Sequence, residues 1–397
     1  MCAALVAGCA VSPLAPAPAP TPTPTPAPPP PSLPALPAQY LPVSWDALPG
    51  WRVDRTQEVW PALLAGCGAL VRGNASSLWQ EACTAAALVQ ATHASEVRTF
   101  FEQYFNPYAV TSPDGRDTGL VTGYYEPLLM GSREPTASFR VPLYAPPEDL
   151  LTIDLTELYP ELKDKRLRGR VEGKRVIPYW PRADIEAGKA MTRGRELAYV
   201  GDPVEAFFLQ IQGSGRIALA DGSVMRVGYA DQNGQPYRAI GSVLADRGEI
   251  PLERTSMQNI REWGQRNPEK LSGILDANPS YVFFREVPPP MAGTLEAAID
   301  GPIGSLGVPL LARRTIAADT RSIPLGAPVY IATTYPSTDR ALQRLVMTQD
   351  TGGAIRGAVR ADFFWGFGDD AGQEAGRMRQ EGRMWLLWPK GAPLPNR

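Results

Sequence analysis

The sequence predicts a mainly β protein with helices near its N-terminus. Two observations support this fold class. Helical signals concentrate in residues 54–105, and from residue 118 onward the chain changes to short strands separated by Gly and Asp turns. At 397 residues the chain is long enough for two domains. We therefore expect helices first, then an inserted β-rich domain, and finally a β-barrel that completes the first domain.

The N-terminal helices are indicated by capping residues and by a stripe of apolar side chains. Ser77 and Gln80 have the spacing of a capping box, and "SEVRTFFEQYF" places aromatic residues at helical intervals, which predicts core packing. His93 precedes that segment, where a helix-cap or surface role is expected. Cys67 and Cys83 both fall in this helical part. They could pair in an oxidising compartment or remain packed thiols, and the sequence leaves both alternatives open.

Short apolar runs bounded by turn residues predict the strands. In chain order these runs are "TGLVTGYYEPLL", "RVIPYW", "EAFFLQIQGSGRIAL", "GSVMRVGYA", "SYVFFRE", "TIAADTRSIPLGAPVYIAT", "QRLVMTQDTG" and "RMWLLW". Helical patterns interrupt them over residues 255–278 and from about 370 to 381.

The composition excludes several classes of function. A net charge of −2 and a pI near 5.7 argue against a nucleic-acid binder, which needs a basic face. The single histidine excludes a multi-histidine metal site, and the four cysteines contain no CxxC pair that would indicate zinc. We expect no metal and no other cofactor. Any proton transfer must then be carried out by carboxylates.

The first 39 residues predict a lipoprotein leader and a tether. Val6-Ala7-Gly8 precede Cys9 as small residues precede the lipidated cysteine of a bacterial lipoprotein, although a charged n-region is missing. Residues 13–37 alternate Pro with Ala and Thr, a composition typical of extended polyproline II linkers. No other run of about 20 apolar residues occurs, so a lipid on Cys9 is the expected membrane attachment.

Two segments carry polar and aromatic residues suited to binding sugars. In "VTGYYEPLL", side chains alternate along the predicted strand, so Tyr124 or Tyr125 must face outward, and Thr122 adds a hydroxyl. In "LQIQGSGRIAL", Gln210 and Gln212 are predicted on one strand face beside a glycine turn. Core packing and an ordinary hairpin explain these residues equally well, so the two patterns alone do not decide.

The stretch "QDTGGAIRGAVRADFFWG" is the strongest candidate for chemistry. It holds Asp350 and Asp362, and Asp362 precedes three aromatic residues. A carboxyl against an apolar wall has a raised pKa and can hold a proton near neutral pH, as a general acid requires. Asp350 would orient it, and Asp319 in "IAADTRSIP" would be a third member. Barrel turns are the competing interpretation of these aspartates.

Six motifs together resemble one known family. "TGYYEP", "QIQGSGRI", "GYADQNGQPYRAIG", "NPSYVFFRE", "AADTRSIPLGAPVYI" and "DTGGAIRGAVRADFFWG" occur in the order found in the membrane-bound lytic murein transglycosylase A family. The resemblance runs from about residue 40 to the end. It implies a double-psi β-barrel domain with helices, formed by residues 40–126 and 281–397, and a smaller inserted β-barrel domain that binds substrate, over 127–280. A groove would separate the two domains.

The resemblance also implies a reaction. The β-1,4 bond between N-acetylmuramic acid and N-acetylglucosamine in peptidoglycan is cleaved without water, as by an exotransglycosylase, leaving a 1,6-anhydro end. Asp362 would act as acid and then as base, with Asp350 and Asp319 in support. Glu205, in "GDPVEAFF", would have a secondary polar role in the groove. The candidate substrate-binding residues are Thr122, Gly123, Tyr124, Tyr125, Glu205, Gln212, Gly213, Ser214, Gly353 and Ala354.

The expected partners are peptidoglycan strands and proteins of cell-wall synthesis or division, with no nucleic acid. The expected location is the periplasmic face of the outer membrane, as a lipoprotein. A hydrolase acting on the same polymer and a non-catalytic wall-binding module remain alternatives. Exo versus endo action and the peptide-stem preference stay open. In some relatives the second and third aspartates are one residue closer together than Asp350 and Asp362.

Overall fold

The computed structural model describes residues 38–72, 76–162, 165 and 167–395, without the side chains of Ser76 and Glu253. Cys9 and the proline-rich segment up to residue 37 lie outside the described residues. Within these ranges no helix has the length and apolar character needed to cross a membrane.

The chain is mainly β after an initial group of helices, as the sequence predicts. The helices are α1 (Trp60–Leu70), α2 (Ser76–Ala86), α3 (Ala94–Tyr104), α4 (Arg182–Glu186), α5 (Pro203–Gln212), α6 (Ile240–Asp246), α7 (Met257–Arg266), α8 (Pro268–Leu275), α9 (Leu295–Ile299) and α10 (Gly368–Arg377). Single 3-10 turns span Trp45–Ala47, Thr56–Val59, Pro160–Leu162 and Leu252–Arg254.

The strands form three sheets. They are β1 (Gln39–Pro42), β2 (Phe105–Thr111), β3 (Gly119–Glu126), β4 (Leu128–Ser132), β5 (Val141–Tyr144), β6 (Leu151–Thr152), β7 (Arg168–Glu172), β8 (Arg175–Pro178), β9 (Glu196–Val200), β10 (Ser214–Leu219), β11 (Val224–Gln232), β12 (Val282–Val287), β13 (Thr315–Ala318), β14 (Pro328–Thr334), β15 (Ala341–Asp350), β16 (Ala361–Phe367) and β17 (Arg379–Pro389).

The eight-stranded sheet closes on itself and will carry the candidate site. Its order is β1-β2-β17-β14-β15-β13-β16-β3, and β17 also pairs with β3, so six of these strands form a ring. The β13–β15 and β16–β3 pairs are parallel, whereas β17 is antiparallel to β3. A closed ring buries the side chains that face its interior, which is why strands β13 to β16 are rich in fully buried residues.

A six-stranded sheet, ordered β12-β11-β10-β4-β9-β5, is built from the middle of the chain. Only Pro127 separates β4 from β3 of the ring. A separate three-stranded sheet contains β6, β7 and β8. The change from one large sheet to the other therefore occurs within a single residue. The double-psi crossing of the ring stays a prediction.

The sequence interpretation was wrong at α5. It predicted a strand across "EAFFLQIQ", and the structure has a helix there. Asp202 caps this helix by accepting hydrogen bonds from the backbone N–H of Val204 and Glu205, and Gly213 ends it with a φ of 79°. The helix is apolar on two sides, because one face packs on the six-stranded sheet and the other on α6 to α8. A helix buried on both faces loses the periodicity that distinguishes it from a buried strand.

The N-terminal helices pack on the ring. A disulfide joins α1 to α2, and a buried arginine binds the segment that precedes α1. Cys67 and Cys83 form a disulfide between α1 and α2, which decides between the two alternatives that the sequence left open. Arg314, only 2% exposed, makes two hydrogen bonds of 3.0 and 2.9 Å to the carboxylate of Asp54 and two of 3.3 and 2.9 Å to Glu58. His93 lies at the N-cap of α3, as predicted.

Candidate active site

Strand β13 brings the two main candidate aspartates to the same level of the ring. Ala317 is the register partner of Asp350 on β15 and of Asp362 on β16. Neighbouring strands lie about 4.8 Å apart, and side chains at one level of a sheet point to the same face. The two carboxyl groups therefore emerge on the same side of the ring, on either side of a small alanine.

Strand β3 adds a hydroxyl to this pair. Thr122 is the register partner of Asp362 across the parallel β3–β16 pair. Its Oγ1 donates a hydrogen bond to Oδ1 of Asp362 at 2.6 Å. This contact fixes one carboxyl oxygen of Asp362, while the side chain keeps partial access to solvent.

The environment of Asp362 favours its protonated form. Burial raises the pKa of Asp362 to about 6, and the negative charge of Asp350 adds to the increase. The hydrogen bond from Thr122 and the positive charge of Arg360 oppose it. An aspartate with this pKa is protonated in about a tenth of molecules at pH 7, far more than an ordinary aspartate, and so can act as a general acid.

Asp350 is held by hydrogen bonds on both oxygens. Ser305 donates to Oδ1 from its backbone N at 3.0 Å and from Oγ at 2.8 Å, and Tyr124 donates from Oη to Oδ2 at 3.1 Å. Burial raises the pKa of Asp350, and the hydrogen bonds from Ser305 oppose that rise. Burial and the charges of Asp350 and Asp362 place the pKa of Tyr124 well above its ordinary value, so its phenol stays a donor.

Asp319 is an ionised anchor on the same ring. Only 1% exposed, its carboxylate receives hydrogen bonds from Arg321 at 2.9 and 2.6 Å and from the backbone N of Gly357 at 2.8 Å. Burial would raise the pKa of Asp319, but these hydrogen bonds outweigh it and hold that pKa below its usual value. Asp319 therefore secures the turn between Asp350 and Asp362, and it lacks the raised pKa of a proton donor.

The alternation along β3 separates the predicted sugar-binding residues into two groups. Thr122 and Tyr124 face the aspartates, whereas Gly123 and Tyr125 face α10. A Cβ added to Gly123 would lie 2.6 Å from Nε1 of Trp365, so glycine is required there for packing. Tyr124 and Tyr125 are both only 9% exposed, so the prediction that one of them faces outward is wrong. Helix α10 covers the face that carries Tyr125.

Glu205 lines a cavity of about 270 Å³, which Tyr125 also lines. Its carboxylate pairs with Arg261 at 2.8 Å. Burial raises the pKa of Glu205, and the charge of Arg261 opposes that rise. The structure thus places Glu205 and Tyr125 apart from Asp350 and its neighbours, in a cavity formed by α5, α7 and α10.

A larger cavity of about 400 Å³ lies beside Asp350. Its walls come from α5 and the six-stranded sheet on one side and from the 303–310 and 350–354 segments on the other. The sequence-predicted residues that it brings together are Gln212, Gly213, Ser214, Asp350, Gly353 and Ala354. Gln212 also accepts a hydrogen bond at 3.1 Å from the backbone N of Tyr125. Gln210 lines the same cavity and accepts a hydrogen bond from Arg182.

Sequence reasoning missed Ser305, which holds Asp350. The surrounding "GPIGSLGVP" contains no motif, and the contact depends on the backbone hydrogen bond from Leu306 N to Gln349 O at 3.0 Å. Only the folded chain reveals this contact. In the described ranges, no group of three or more His, Cys, Asp or Glu side chains could hold a metal ion.

Comparison with known proteins gives matches over most of the chain. Residues 120–285 match the MltA specific insert domain, and residues 314–388 match the 3D domain. Membrane-bound lytic murein transglycosylase A of Escherichia coli K12 is 34% identical over 279 residues, which cover 68% of this chain and 66% of that protein's length.

Solved structures align over a larger share. MltA from Neisseria gonorrhoeae is 38% identical with a TM-score of 0.78, and the alignment covers 91% of this chain and 95% of that one. E. coli MltA with bound chitohexaose is 26% identical with a TM-score of 0.63, covering 90% of this chain and 95% of that one.

Proposed function

The chain belongs to the MltA family of peptidoglycan lytic transglycosylases, and from this premise we propose that Asp362 performs both proton transfers of the reaction. The substrate is the glycan strand of peptidoglycan, cleaved between N-acetylmuramic acid and N-acetylglucosamine. The observation that carries this proposal is the pKa of Asp362, raised by burial to about 6 beside the hydroxyl of Thr122. Asp350 also has a pKa raised by burial, but both of its carboxyl oxygens accept hydrogen bonds, from Ser305 and from Tyr124. The pKa of Asp319 is held below its usual value.

In the first step, protonated Asp362 donates its proton to the oxygen that links C1 of the muramyl residue to the next sugar. That bond breaks, and the departing sugar leaves with a free 4-hydroxyl. In the second step, the Asp362 carboxylate takes the proton of the muramyl 6-hydroxyl, whose oxygen bonds to C1. The product is a 1,6-anhydro end, and the aspartic acid is regenerated without water entering the reaction.

Asp350 and Asp319 act on Asp362 indirectly in this scheme. Asp350 on β15 and Asp362 on β16 lie on either side of Ala317 on β13. The negative charge of Asp350 raises the pKa of Asp362. Asp319 secures the intervening turn through Gly357. Because the attacking oxygen belongs to the substrate, the separation of two carboxylates that a hydrolytic glycosidase needs does not apply here.

We further propose that the cavity beside Asp350 holds the sugars of the strand. Amide and hydroxyl side chains, such as Gln212 and Ser214, suit the hydroxyl and acetamido groups of amino sugars. The chitohexaose bound by E. coli MltA, a chain of N-acetylglucosamine units, supports a groove for such sugars. Chitohexaose is neutral, and it carries no lactyl group.

The domain division is part of the proposal. The predicted insert at 127–280 covers β4 to β11, and β12 also pairs within the six-stranded sheet, so we extend the proposed insert to Val287. The relatives' name places those proteins at a membrane. We propose that this chain is located in the cell envelope, attached to the outer membrane by a lipid on Cys9. Binding to proteins of wall synthesis or division stays a prediction.

The test replaces Asp362 by Asn in the full chain. Because Asn cannot donate a proton in this way, lysis of isolated sacculi should fall about 100- to 10,000-fold, while sacculus binding is kept. Asp370→Asn on the exposed face of α10 is the matched control and should keep full activity. Mass spectrometry should find anhydro ends in the wild-type digest. Reducing muramyl ends there, or lysis by the Asp362→Asn variant at the wild-type rate, would refute the proposal.

A further inference from the structure

The cavity beside Asp350 contains one cation that pairs with no residue in the described part of the chain. Three charged residues line it: Arg182, Arg285 and Asp350. Arg182 is 2% exposed, and its guanidinium is already bonded to Glu186 at 3.0 Å and to the backbone oxygen of Ser280 at 2.8 Å. The guanidinium of Arg285 is exposed and makes no hydrogen bond or ion pair with the residues that the structure describes.

The position of Arg285 on the sheet explains why its guanidinium is available. Strand β12 is the edge of the six-stranded sheet, and the register partner of Arg285 on β11 is Gly228. Glycine offers no cross-strand side chain to cover or pair with the guanidinium. The adjacent carboxylate, Glu286, is occupied by Arg133 through hydrogen bonds of 3.2 and 2.9 Å. Arg285 therefore lines the cavity with no ion-pair partner among the described residues.

A neutral sugar chain does not require a cation in its groove. Guanidinium groups bind carboxylates with two parallel hydrogen bonds and are poorly matched to hydroxyls as sole partners. In peptidoglycan the backbone sugars are neutral, and the carboxylates belong to the muramyl substituents. They are either the free lactyl carboxylate of a peptide-free strand or the carboxylates of an attached peptide.

We propose that Arg285 binds a carboxylate on the muramyl substituents and makes the groove select acidic glycan strands over neutral ones. This inference rests on the proposed function and deepens it. Arg285 does not touch the reacting atoms in this scheme, since Asp362 is not among the residues that line this cavity. It is a specificity-determining residue that contributes equally to ground-state and transition-state binding.

Such a residue has a defined kinetic signature. Uniform binding energy lowers KM and leaves kcat unchanged. For a charged pair in a half-open cavity we expect Arg285→Gln to raise KM for acidic strands about 5- to 10-fold, with kcat within about twofold of wild type. Arg285→Lys keeps the charge and should hold KM within about threefold of wild type.

The experiment compares three ligands. Steady-state kinetics are measured on peptide-bearing strands and on peptide-free strands, and chitohexaose binding is measured by calorimetry in an Asp362→Asn background. Arg266→Gln, an exposed cation at the end of α7 outside the cavity, is the control for general charge effects. We expect Arg285→Gln to leave chitohexaose affinity and thermal stability unchanged, and Arg266→Gln to change nothing.

The two acidic substrates distinguish the source of the carboxylate. A rise in KM confined to peptide-bearing strands assigns Arg285 to the peptide, and a rise on peptide-free strands assigns it to the lactyl group. An unchanged KM on both, or an equal loss of chitohexaose affinity, would overturn the proposal. Failure of the proposed function is distinguishable, because it appears as lysis by the Asp362→Asn variant whatever the behaviour of Arg285.

Discussion

The hydroxyl of Thr122 donates a 2.6 Å hydrogen bond to Asp362 from a strand 240 residues earlier in the chain. A hydrogen bond to a carboxylate stabilises the charged form and lowers its pKa. Thr122 therefore moderates the effect of burial, which alone would raise the pKa of Asp362 above its value of about 6.

Replacing Thr122 by Val should raise the pKa of Asp362 by roughly one unit, since a hydrogen bond to a charged group contributes about 1.5–3 kcal/mol and one unit corresponds to about 1.4. The alkaline limb of the profile of kcat/KM against pH should move to higher pH. Thr122→Ser retains a hydroxyl and should restore the wild-type limb. An unshifted limb in Thr122→Val would show that this contact does not tune the acid.

The wild-type enzyme should lose activity as the pH rises through about 6, because only protonated Asp362 can donate in the first step. Above that value kcat/KM should fall about tenfold for each unit of pH. The measurement is the initial rate on soluble strands between about pH 4 and 9. A rate independent of pH across this range would argue against an acid of the stated pKa.

Replacing Asp350 by Asn should move the same alkaline limb in the opposite direction. The negative charge of Asp350 raises the pKa of Asp362, so its removal lowers that pKa and brings the loss of activity to lower pH. The pH profile separates this electrostatic role from a purely structural one, which would lower the rate at every pH alike. A limb displaced to higher pH would contradict the assigned role.

Gly123→Ala should lower the free energy of unfolding by about 1–3 kcal/mol, as overpacking does in a closed core. The added Cβ would lie 2.6 Å from Nε1 of Trp365 and 2.9 Å from Cα of Ala375. Gly376→Ala on α10 is the control, since a Cβ there meets nothing within 4 Å. Urea unfolding of both variants is the measurement, and equal stability of the two would contradict the packing argument.

Double replacement of Cys67 and Cys83 by Ser should lower the free energy of unfolding by about 3 kcal/mol, the value expected for closing a loop of this size. The two residues are 16 apart in sequence and join α1 to α2. Comparing oxidised wild type with the variant in denaturant measures the difference. Wild type unfolded with a reductant present should match the variant, and a persistent gap between them would point to packing instead.

The sequence predicted most strands and helices because their patterns are local. The aspartates were found because Asp350 and Asp362 lie in one motif with aromatic residues. The hydrogen bonds to these aspartates were not predictable. Thr122 reaches Asp362 through strand pairing across the ring, and Ser305 reaches Asp350 through a turn bonded to β15. The alternation of β3 predicted that Tyr124 and Tyr125 point to opposite faces, but not that α10 covers the second face.

Helix α5 shows the limit of pattern reading most clearly. Its capping signals, Asp202 before Pro203 and Gly213 at the end, are present in the sequence. They were outweighed by the apolar run between them. Glu205, expected in the groove on the basis of the resemblance, lies in the first turn of this helix and lines a cavity other than the one beside Asp350, so its role in the groove stays a prediction.

The pairing of β17 with β3 has a consequence for when activity can arise during synthesis. Arg379 in the last strand is the register partner of Thr122, so the ring closes only after the C-terminal residues have left the ribosome. Asp319, Asp350 and Asp362 all precede β17, the strand that closes the ring, in the chain. The ring around Asp350 and Asp362 is therefore complete only in a chain that includes β17.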